Sequence, residues 1–237
     1  MGFSLHRLQK YDEAATAYEK ALNLGLTPLR TIMSLVRVHT LMGHLDLAFG
    51  WLNKALSAGF ASADVLKTDI EFAHLKSDPR FHDAMKRADQ NANPCEYDQR
   101  YRQFDFWIGD WNVFDGQGNQ VGTNSIQKIV NGCALLENWM NTGGIPGKSL
   151  NYFDPSDQQW HQVWVDASGG AIQITGGLDK DGSMILVGVN IQTDGTKLPF
   201  RGAWTLLPDG RVRQFFEQSS DGGKTWLTWF EGFYARK

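Results

Sequence analysis

The fold of this chain is decided by residues 104–111, which read FDFWIGDW. From this segment onward the chain is rich in Trp, Phe and Val and is punctuated by Asp-Gly turns, a composition that favours strands. The preceding part is rich in Ala and Leu and poor in Gly, which favours helices. Eight of the nine tryptophans and 20 of the 25 glycines follow residue 94. We therefore predict a helical domain at residues 1–92, a short linker at 91–96, and an all-β domain at residues 97–237.

The β half consists of short runs separated by turn residues, at a spacing of roughly 8–12 residues that is typical of a sandwich or a barrel. The turns include Asp115-Gly116 and Asp181-Gly182, and connections this short join antiparallel neighbours. A meander of about ten strands hides its edges most easily by closing on itself. We predict an antiparallel up-and-down β-barrel with strands at 107–114, 121–131, 134–141, 149–153, 160–166, 171–178, 184–191, 200–207, 212–219 and 226–236.

The first strand of the β half contains Gly109-x-Trp111, and the last strand ends at Arg236. This combination resembles the calycin barrels, which include the lipocalins and the fatty-acid-binding proteins. The resemblance implies that Trp111 plugs the closed end of the barrel and that Arg236 lies across its indole ring. The match is incomplete, because a typical lipocalin has about eight strands. The tight turn at 115–119 also stands where fatty-acid-binding proteins carry a helix pair.

A wider pattern joins residues 104–111 to WHQVWVD at 160–166 and to DGGKTW at 221–226. It looks like a bacterial domain family of unknown function with a calycin-like barrel, over about residues 101–237, and it implies a fold more than an activity. Residues 219–226 also fit the Asp-box of sialidase propellers, S-x-D-x-G-x-T-W. A propeller needs at least about four blades, so a single copy predicts a self-bonded hairpin instead.

The helical half repeats itself after a shift of 34 residues, which aligns residues 11–14 with 45–48 and residues 20–22 with 54–56. The shift places the small residues Ala14 and Ala48 where two helices would approach closely. It also places Gly25 and Gly59 where a left-handed residue would end a helix. This period and pattern resemble the tetratricopeptide repeat.

Further helix boundaries follow from capping residues. Thr27 and Pro28 predict an N-cap and a first-turn proline for the helix that follows the first repeat. A third, degenerate pair of helices is expected to start at Ser62 or Asp64 and again at Asp78. Terminal repeats are atypical because their outer face is solvated, so this pair is interpreted as a cap.

Two interpretations of the helical repeats remain open. In the first, the helices form a groove that binds a peptide of a protein partner, with Arg30, Arg37 and His44 as the candidate polar contacts. In the second, they are a scaffold that packs on the β domain or dimerises.

The bulk properties exclude some functions. The formal net charge is −3, and residues 1–94 carry 11 Lys/Arg against 10 Asp/Glu while residues 95–237 carry 12 against 16. Neither half has the basic excess that nucleic-acid binding requires. The first residues lack the apolar stretch of a signal peptide, and no long apolar run follows. We expect a soluble, cytoplasmic protein with no membrane partner, in which Cys95 and Cys133 are free thiols.

Strand alternation places aromatic, amide and acidic side chains on the same face of three predicted strands. Such mixed faces suit a cavity for a small, mostly apolar or aromatic ligand, because ligand pockets combine apolar walls with a few orienting polar groups. The alternative is that the polar side chains face water or belong to a structural network. The candidate ligand-binding residues are Glu137, Trp139, Gln162, Trp164, Trp204, Gln214 and Phe216.

Two rival functions remain. The barrel could house an enzyme that isomerises, hydrates or hydrolyses such a ligand, with Glu137 or Asp166 as acid or base, although no nucleophile or second placed carboxylate accompanies them. Alternatively, side chains fill the barrel and the protein only mediates protein–protein contacts.

His161 is the one histidine of the β half and has no partner nearby in sequence. We therefore expect neither haem nor metal ligation, and no cofactor.

Overall fold

The computed structural model describes residues 1–26 and 28–237, so the predicted cap at Thr27 lies outside the described residues. The chain divides into two compact units, residues 1–94 and residues 95–237. The residues predicted as a linker have regular local structure. Asn91 lies in the last helix of the first unit, where its side chain donates to the carbonyls of Leu56 and Phe60. Cys95 lies in the first helical turn of the second unit.

The first unit is helical. Its helices are α1 (Gly2–Arg7), α2 (Tyr11–Asn23), α3 (Pro28–Leu41), α4 (Leu45–Ser57), α5 (Ala63–Thr68) and α6 (Arg80–Ala92), and a 3-10 segment (Ile70–Leu75) lies between α5 and α6. The helices α2 and α4 begin 34 residues apart, as the sequence shift predicts. Both pack against α3, and Ala14 and Ala48 are fully buried. None of the described helices combines the length and the apolar character needed to span a membrane.

A third helix pair forms where the sequence predicts one, but its first member is broken. The α-helix α5 ends at Thr68, and Asp69 adopts an extended backbone. The Asp69 carboxylate accepts hydrogen bonds from the Glu71 backbone at 3.0 Å and from the Arg37 guanidinium at 2.9 Å. These bonds stabilise the 3-10 segment in place of a continued α-helix, because an Asp side chain competes for backbone donors.

The second unit opens with short helical segments: α7 (Pro94–Tyr97) and two 3-10 turns (Gln99–Arg102 and Asp105–Trp107). The strands that follow are β1 (Gly109–Phe114), β2 (Gln120–Ile129), β3 (Ala134–Asn141), β4 (Pro146–Asp154), β5 (Gln159–Asp166), β6 (Ala171–Leu178), β7 (Met184–Ile191), β8 (Lys197–Leu206), β9 (Val212–Gln218) and β10 (Leu227–Arg236). Each strand pairs antiparallel with the next, and β1 pairs with β10. The predicted closed barrel of ten antiparallel strands is confirmed.

The start of the barrel differs from the prediction. The sequence predicts that the first strand begins at residue 107, but the strand begins at Gly109, and Trp107 ends a 3-10 turn. The turn brings the Trp107 and Phe104 rings into a stack with centroids 5.0 Å apart, and both side chains are fully buried. Burial of two large rings therefore outweighs the strand propensity of the segment.

The closed end of the barrel has the geometry expected around Trp111. Its indole is fully buried and donates to the Trp107 carbonyl at 2.9 Å. The Arg236 guanidinium lies 4.2 Å from the indole ring centre and donates to the Ile108 carbonyl at 2.8 Å. A last-strand cation therefore covers the first-strand tryptophan where the two strands meet. Gly109 adopts a φ of +140°, and a Cβ there would lie 2.0 Å from a guanidinium nitrogen of Arg236.

The expectation of two free thiols is wrong: Cys95 and Cys133 form a disulfide. The helical segments before β1 fold back onto the turn between β2 and β3, which brings the two Cα atoms to 5.0 Å. The sequence spacing could not reveal this contact, because it depends on the path of the chain in three dimensions. Disulfides persist in oxidising compartments, so the two cysteines do not support the predicted cytoplasmic location. That location stays a prediction.

Substitution of Gly109 by Ala tests the closed end. We expect Gly109→Ala to lower the free energy of unfolding by about 2 kcal/mol, because a non-glycine residue is strained at this φ and its Cβ displaces Arg236 from Trp111. Urea denaturation followed by tryptophan fluorescence measures the change. Gly116→Ala is the matched control, since a Cβ at Gly116 meets nothing within 4 Å. Equal stabilities of the two variants would contradict the assigned role of Gly109.

Candidate functional site

The candidate site is a cavity of about 90 Å³ inside the barrel. It contains six of the seven ligand-binding residues predicted from the sequence. Trp204 is the exception: it is fully buried, and its ring lies 5.2 Å from Phe104 and 5.6 Å from Trp107, in the core that fills the closed end. The residues that line the cavity are Glu137, Trp139, Gln162, Trp164, Ile172, Gln214, Phe216, Trp229, Phe230 and Tyr234.

Strand alternation explains most of this lining. Glu137 and Trp139 point inward from β3, as do Gln162 and Trp164 from β5, because residues two apart share a face of a strand. This regularity is what made these positions predictable from the sequence.

The strand β10 departs from this alternation and supplies residues that the prediction missed. Its register with β9 shifts between Thr228 and Phe230, so Trp229 is an extra residue on this strand. A β-bulge of this kind re-aims side chains, and here the consecutive residues Trp229 and Phe230 both line the cavity. Trp229 stays 46% exposed, which places it at the rim. Regular alternation along a strand places consecutive side chains on opposite faces, so it does not predict that both residues line the cavity.

The aromatic rings of the wall lie against glycines, where a side chain would collide with the ring. A Cβ on Gly147 would approach the Trp164 ring to 2.1 Å, and a Cβ on Gly122 would approach the Trp139 ring to 2.6 Å. Gly202 and Gly232 have the same relation to Phe216 and Phe230, at 2.5 and 2.7 Å. The rings are therefore seated on bare backbone, which leaves room between them.

The charged group of the site is the Glu137 carboxyl, which is only 2% exposed. One oxygen accepts from the Asn124 amide and the other from the Ser149 hydroxyl, each at 2.6 Å. Burial raises the pKa of Glu137 from its usual 4.5 to about 7, and the hydrogen bonds from Ser149 and Asn124 offset only part of that effect. The carboxyl is therefore poised between its charged and neutral forms near neutral pH.

Two chains of polar side chains extend from Glu137. On one side, the Tyr234 hydroxyl lies 3.4 Å from the Asn124 amide nitrogen and donates to the Gln214 carbonyl oxygen. Burial, together with the nearby Glu137 charge, raises the pKa of Tyr234 well above its usual range, so its hydroxyl stays a donor. On the other side, the Asn151 amide donates to the Ser149 hydroxyl at 2.8 Å, and the Gln162 amide donates to the Asn151 carbonyl oxygen at 2.7 Å.

These chains end at the cavity. Among the described residues, neither the carbonyl oxygen of Gln162 nor the amide nitrogen of Gln214 has a hydrogen-bond partner, and neither is fully enclosed. The site therefore offers one acceptor, one donor and the Glu137 carboxyl between aromatic walls. The sequence prediction included Glu137 but missed the Asn124, Ser149 and Asn151 side chains that hold this network, because each lies on a neighbouring strand.

The second candidate acid or base, Asp166, does not line this cavity. It lies in an adjoining cleft of about 140 Å³, which shares Trp164, Ile172 and Trp229 with the cavity. Its carboxylate accepts from the Ser168 backbone at 2.8 Å, in the turn after β5. The two carboxyls that the sequence singled out are therefore in different environments.

Two further sequence features lie outside the cavity. The expectation that His161 has no partner nearby in sequence is wrong: its ring lies 2.8 Å from the carboxylate of Asp157, four residues earlier. The ring also stacks on Tyr152, with centroids 5.2 Å apart. The Asp221 carboxylate accepts from the Thr225 backbone at 2.9 Å and from the Lys224 backbone at 3.0 Å, and these turn contacts lower its pKa to about 2. The Asp-box residues thus form a self-bonded hairpin.

A separate groove of about 970 Å³ lies in the helical unit. Arg30 and Arg37, two of the three polar residues predicted for it, line the groove, whereas His44 does not. Arg37 is engaged with Asp69 at 2.9 Å and with Glu71 at 3.4 Å. Among the described residues, Arg30 forms no ion pair.

Fold and site together define a class of protein: a closed antiparallel barrel with a small aromatic-walled cavity, in one chain with a unit of helical hairpins. No protein-family model matches this chain, and no curated protein matches it. The residues and distances given above are therefore the basis for any assignment of function.

Substitution of Glu137 by Gln tests the burial of the carboxyl. Because the folded-state pKa of Glu137 is raised, the folded protein binds this proton more tightly, so the contribution of Glu137 to stability is largest below pH 4.5 and is lost as pH rises through 7. We expect Glu137→Gln to gain about 3 kcal/mol relative to the wild type between pH 4.5 and 8. Urea denaturation at a series of pH values measures this difference. Asp166→Asn controls for the loss of one charge, and a pH-independent difference for Glu137→Gln would contradict burial.

Proposed function

We propose that the barrel binds a small, mostly apolar or aromatic molecule. The observation that supports this most strongly is the cavity, in which aromatic rings seated on glycines surround a few unpaired polar groups. Ligand sites are typically apolar with a small number of polar groups that fix orientation. A barrel that only mediated protein–protein contacts would have no need for a buried carboxyl beside this space.

The size of the cavity limits the ligand. A volume of about 90 Å³ accommodates one small ring or an equally compact group. A larger molecule would place that group in the cavity and the remainder past Trp229 or in the adjoining cleft, which shares Trp164 and Ile172 with it. The walls would be Trp139, Trp164 and Phe216, and the orienting groups Gln162 and Gln214 beside Glu137.

We assign the units to their classes as part of the same proposal. Trp111 under Arg236 at the strand closure supports a calycin-like barrel. The spacing of 34 residues between the starts of α2 and α4, with buried Ala14 and Ala48, supports a tetratricopeptide-like unit.

An enzymatic function is the second candidate, and one observation favours it. The pKa of Glu137 is raised to about 7, which is the range in which a carboxyl works best as a general acid or base. Against it stands the location of Ser149: the hydroxyl bonded to Glu137 does not line the cavity. Turnover that is lost in Glu137→Gln while binding is retained would establish the enzyme.

The helical groove completes the proposal as a site for a peptide of a protein partner. Its polar wall includes Arg30, which is exposed and has no ion-pair partner among the described residues. An exposed, unpaired cation favours an acidic peptide.

The cavity is tested by binding of single-ring probes such as phenol and benzyl alcohol, followed by ligand-observed NMR and tryptophan fluorescence. We expect at least one probe to bind the wild type, and Gly147→Ala to weaken it about tenfold or more, because its Cβ displaces the Trp164 ring. Gly177→Ala is the matched control, since a Cβ there meets nothing within 4 Å. Native mass spectrometry of freshly purified protein adds an independent test, the mass of any co-purifying ligand. Absence of binding by every probe, with no co-purifying mass, would contradict the proposal.

The groove is tested by selection of displayed peptides on the 237-residue chain. We expect the selected peptides to be enriched in Asp and Glu and to lose binding to Arg30→Glu by about tenfold. Lys54→Glu is the control, because Lys54 lies over the Trp51 ring and does not line the groove. Equal loss in both variants would show that net charge, not the groove, decides binding.

A further inference from the structure

The Glu137 carboxyl has no counter-charge. Its hydrogen-bond partners, the Asn124 amide and the Ser149 hydroxyl, are both neutral. No Lys, Arg or His lines the cavity among the described residues. Buried carboxylates in proteins are normally paired with a cation, because an unpaired buried charge is costly. The barrel therefore presents a carboxyl whose missing partner is a positive charge.

The walls around this carboxyl are themselves suited to a cation. Six aromatic rings line the cavity: Trp139, Trp164, Phe216, Trp229, Phe230 and Tyr234. The face of an aromatic ring attracts a cation through its quadrupole, and sites lined by several rings bind quaternary ammonium groups. The Gln162 carbonyl oxygen, which has no partner among the described residues, adds one neutral acceptor.

We propose that the group bound in this cavity is a small organic cation, an alkylated ammonium, held between the aromatic rings and the Glu137 carboxylate. The proposal rests on the proposed ligand-binding function and specifies its ligand class. A trimethylammonium group is compact enough for a space of about 90 Å³, and its methyl groups contact the rings while its charge pairs with the carboxylate. A metal ion does not fit, since hard cations take about six or more oxygen ligands and the cavity offers few.

The pairing makes binding depend on pH. The groups that face Glu137 are Asn124 of β2 and Ser149 of β4, the two strands next to β3, and Tyr234 of the more distant strand β10. Tyr234 alone among them is titratable, and it stays neutral. Because only the ionised carboxyl pairs with the cation, the apparent affinity follows the ionised fraction of Glu137. With a pKa of about 7, that fraction rises about tenfold between pH 6 and pH 8.

The test compares choline with 3,3-dimethyl-1-butanol, its neutral isostere in which carbon replaces the quaternary nitrogen. We expect the wild type to bind choline at least about tenfold more tightly at pH 8, by isothermal titration calorimetry or ligand-observed NMR. We expect choline affinity to fall about tenfold at pH 6 while that of the isostere stays constant. The pH profile is measured on the wild type alone, so this test remains valid even if a substitution disturbs folding.

Variants show which residue causes the preference. Glu137→Gln should lose the pH dependence of choline binding and most of the preference for choline, keeping only the part that the aromatic rings provide. Asp166→Asn, whose carboxyl lies outside the cavity, should keep both the wild-type preference and its pH dependence. Equal or tighter binding of the isostere to the wild type would overturn the cation proposal and leave the proposed ligand-binding function standing. If choline, the isostere and the single-ring probes all fail to bind, both proposals fall.

Discussion

The barrel depends on the contact between Arg236 and Trp111 at the point where the last strand meets the first. A closed sheet has no free edges, but closure requires that strands far apart in sequence find one another, and the connecting turns do not enforce this. The Arg236 guanidinium on the last strand joins it to the start of the barrel through two contacts. It covers the Trp111 indole at 4.2 Å and donates to the Ile108 carbonyl at 2.8 Å. Gly109 provides the space for it. The same contact therefore joins the last strand to the first and covers the tryptophan that fills the closed end.

The contact at Trp111 also determines where the cavity lies. Trp107, whose carbonyl accepts from the Trp111 indole, packs against Phe104 and Trp204, and these buried rings fill this end of the barrel. Toward the other end, the wall aromatics lie on glycines and leave a space between them, with Trp229 at its rim. The same residue types therefore make a packed core at one end and a cavity at the other. The two ends differ in what each aromatic ring packs against: another large ring at the closed end, and the backbone of a glycine around the cavity.

The sequence predicts features that repeat with a fixed period and misses those that depend on a break in it. Turn residues at a regular spacing predict the ten strands, and alternation places Glu137, Gln162 and Gln214 inside. Trp204 is predicted in the same lining but lies in the core at the closed end, because the sequence does not fix the height of a residue in the barrel. It also missed Trp229, which reaches the cavity through a bulge. The Cys95–Cys133 disulfide depends on a chain reversal that no spacing encodes.

The buried carboxyl gives the strongest argument that the cavity has a function. A Gln at position 137 would keep the size of the side chain without the cost of a buried charge, which the raised pKa of Glu137 reveals. Core positions that only support the fold favour such neutral residues, because removal of an unpaired buried charge stabilises the folded state. A destabilising group held by a network of Asn124, Ser149 and Tyr234, beside an open space, is typical of a site whose geometry serves a ligand rather than stability. The proposed function is therefore centred on Glu137 and not on Asp166, whose carboxylate accepts a hydrogen bond within a turn.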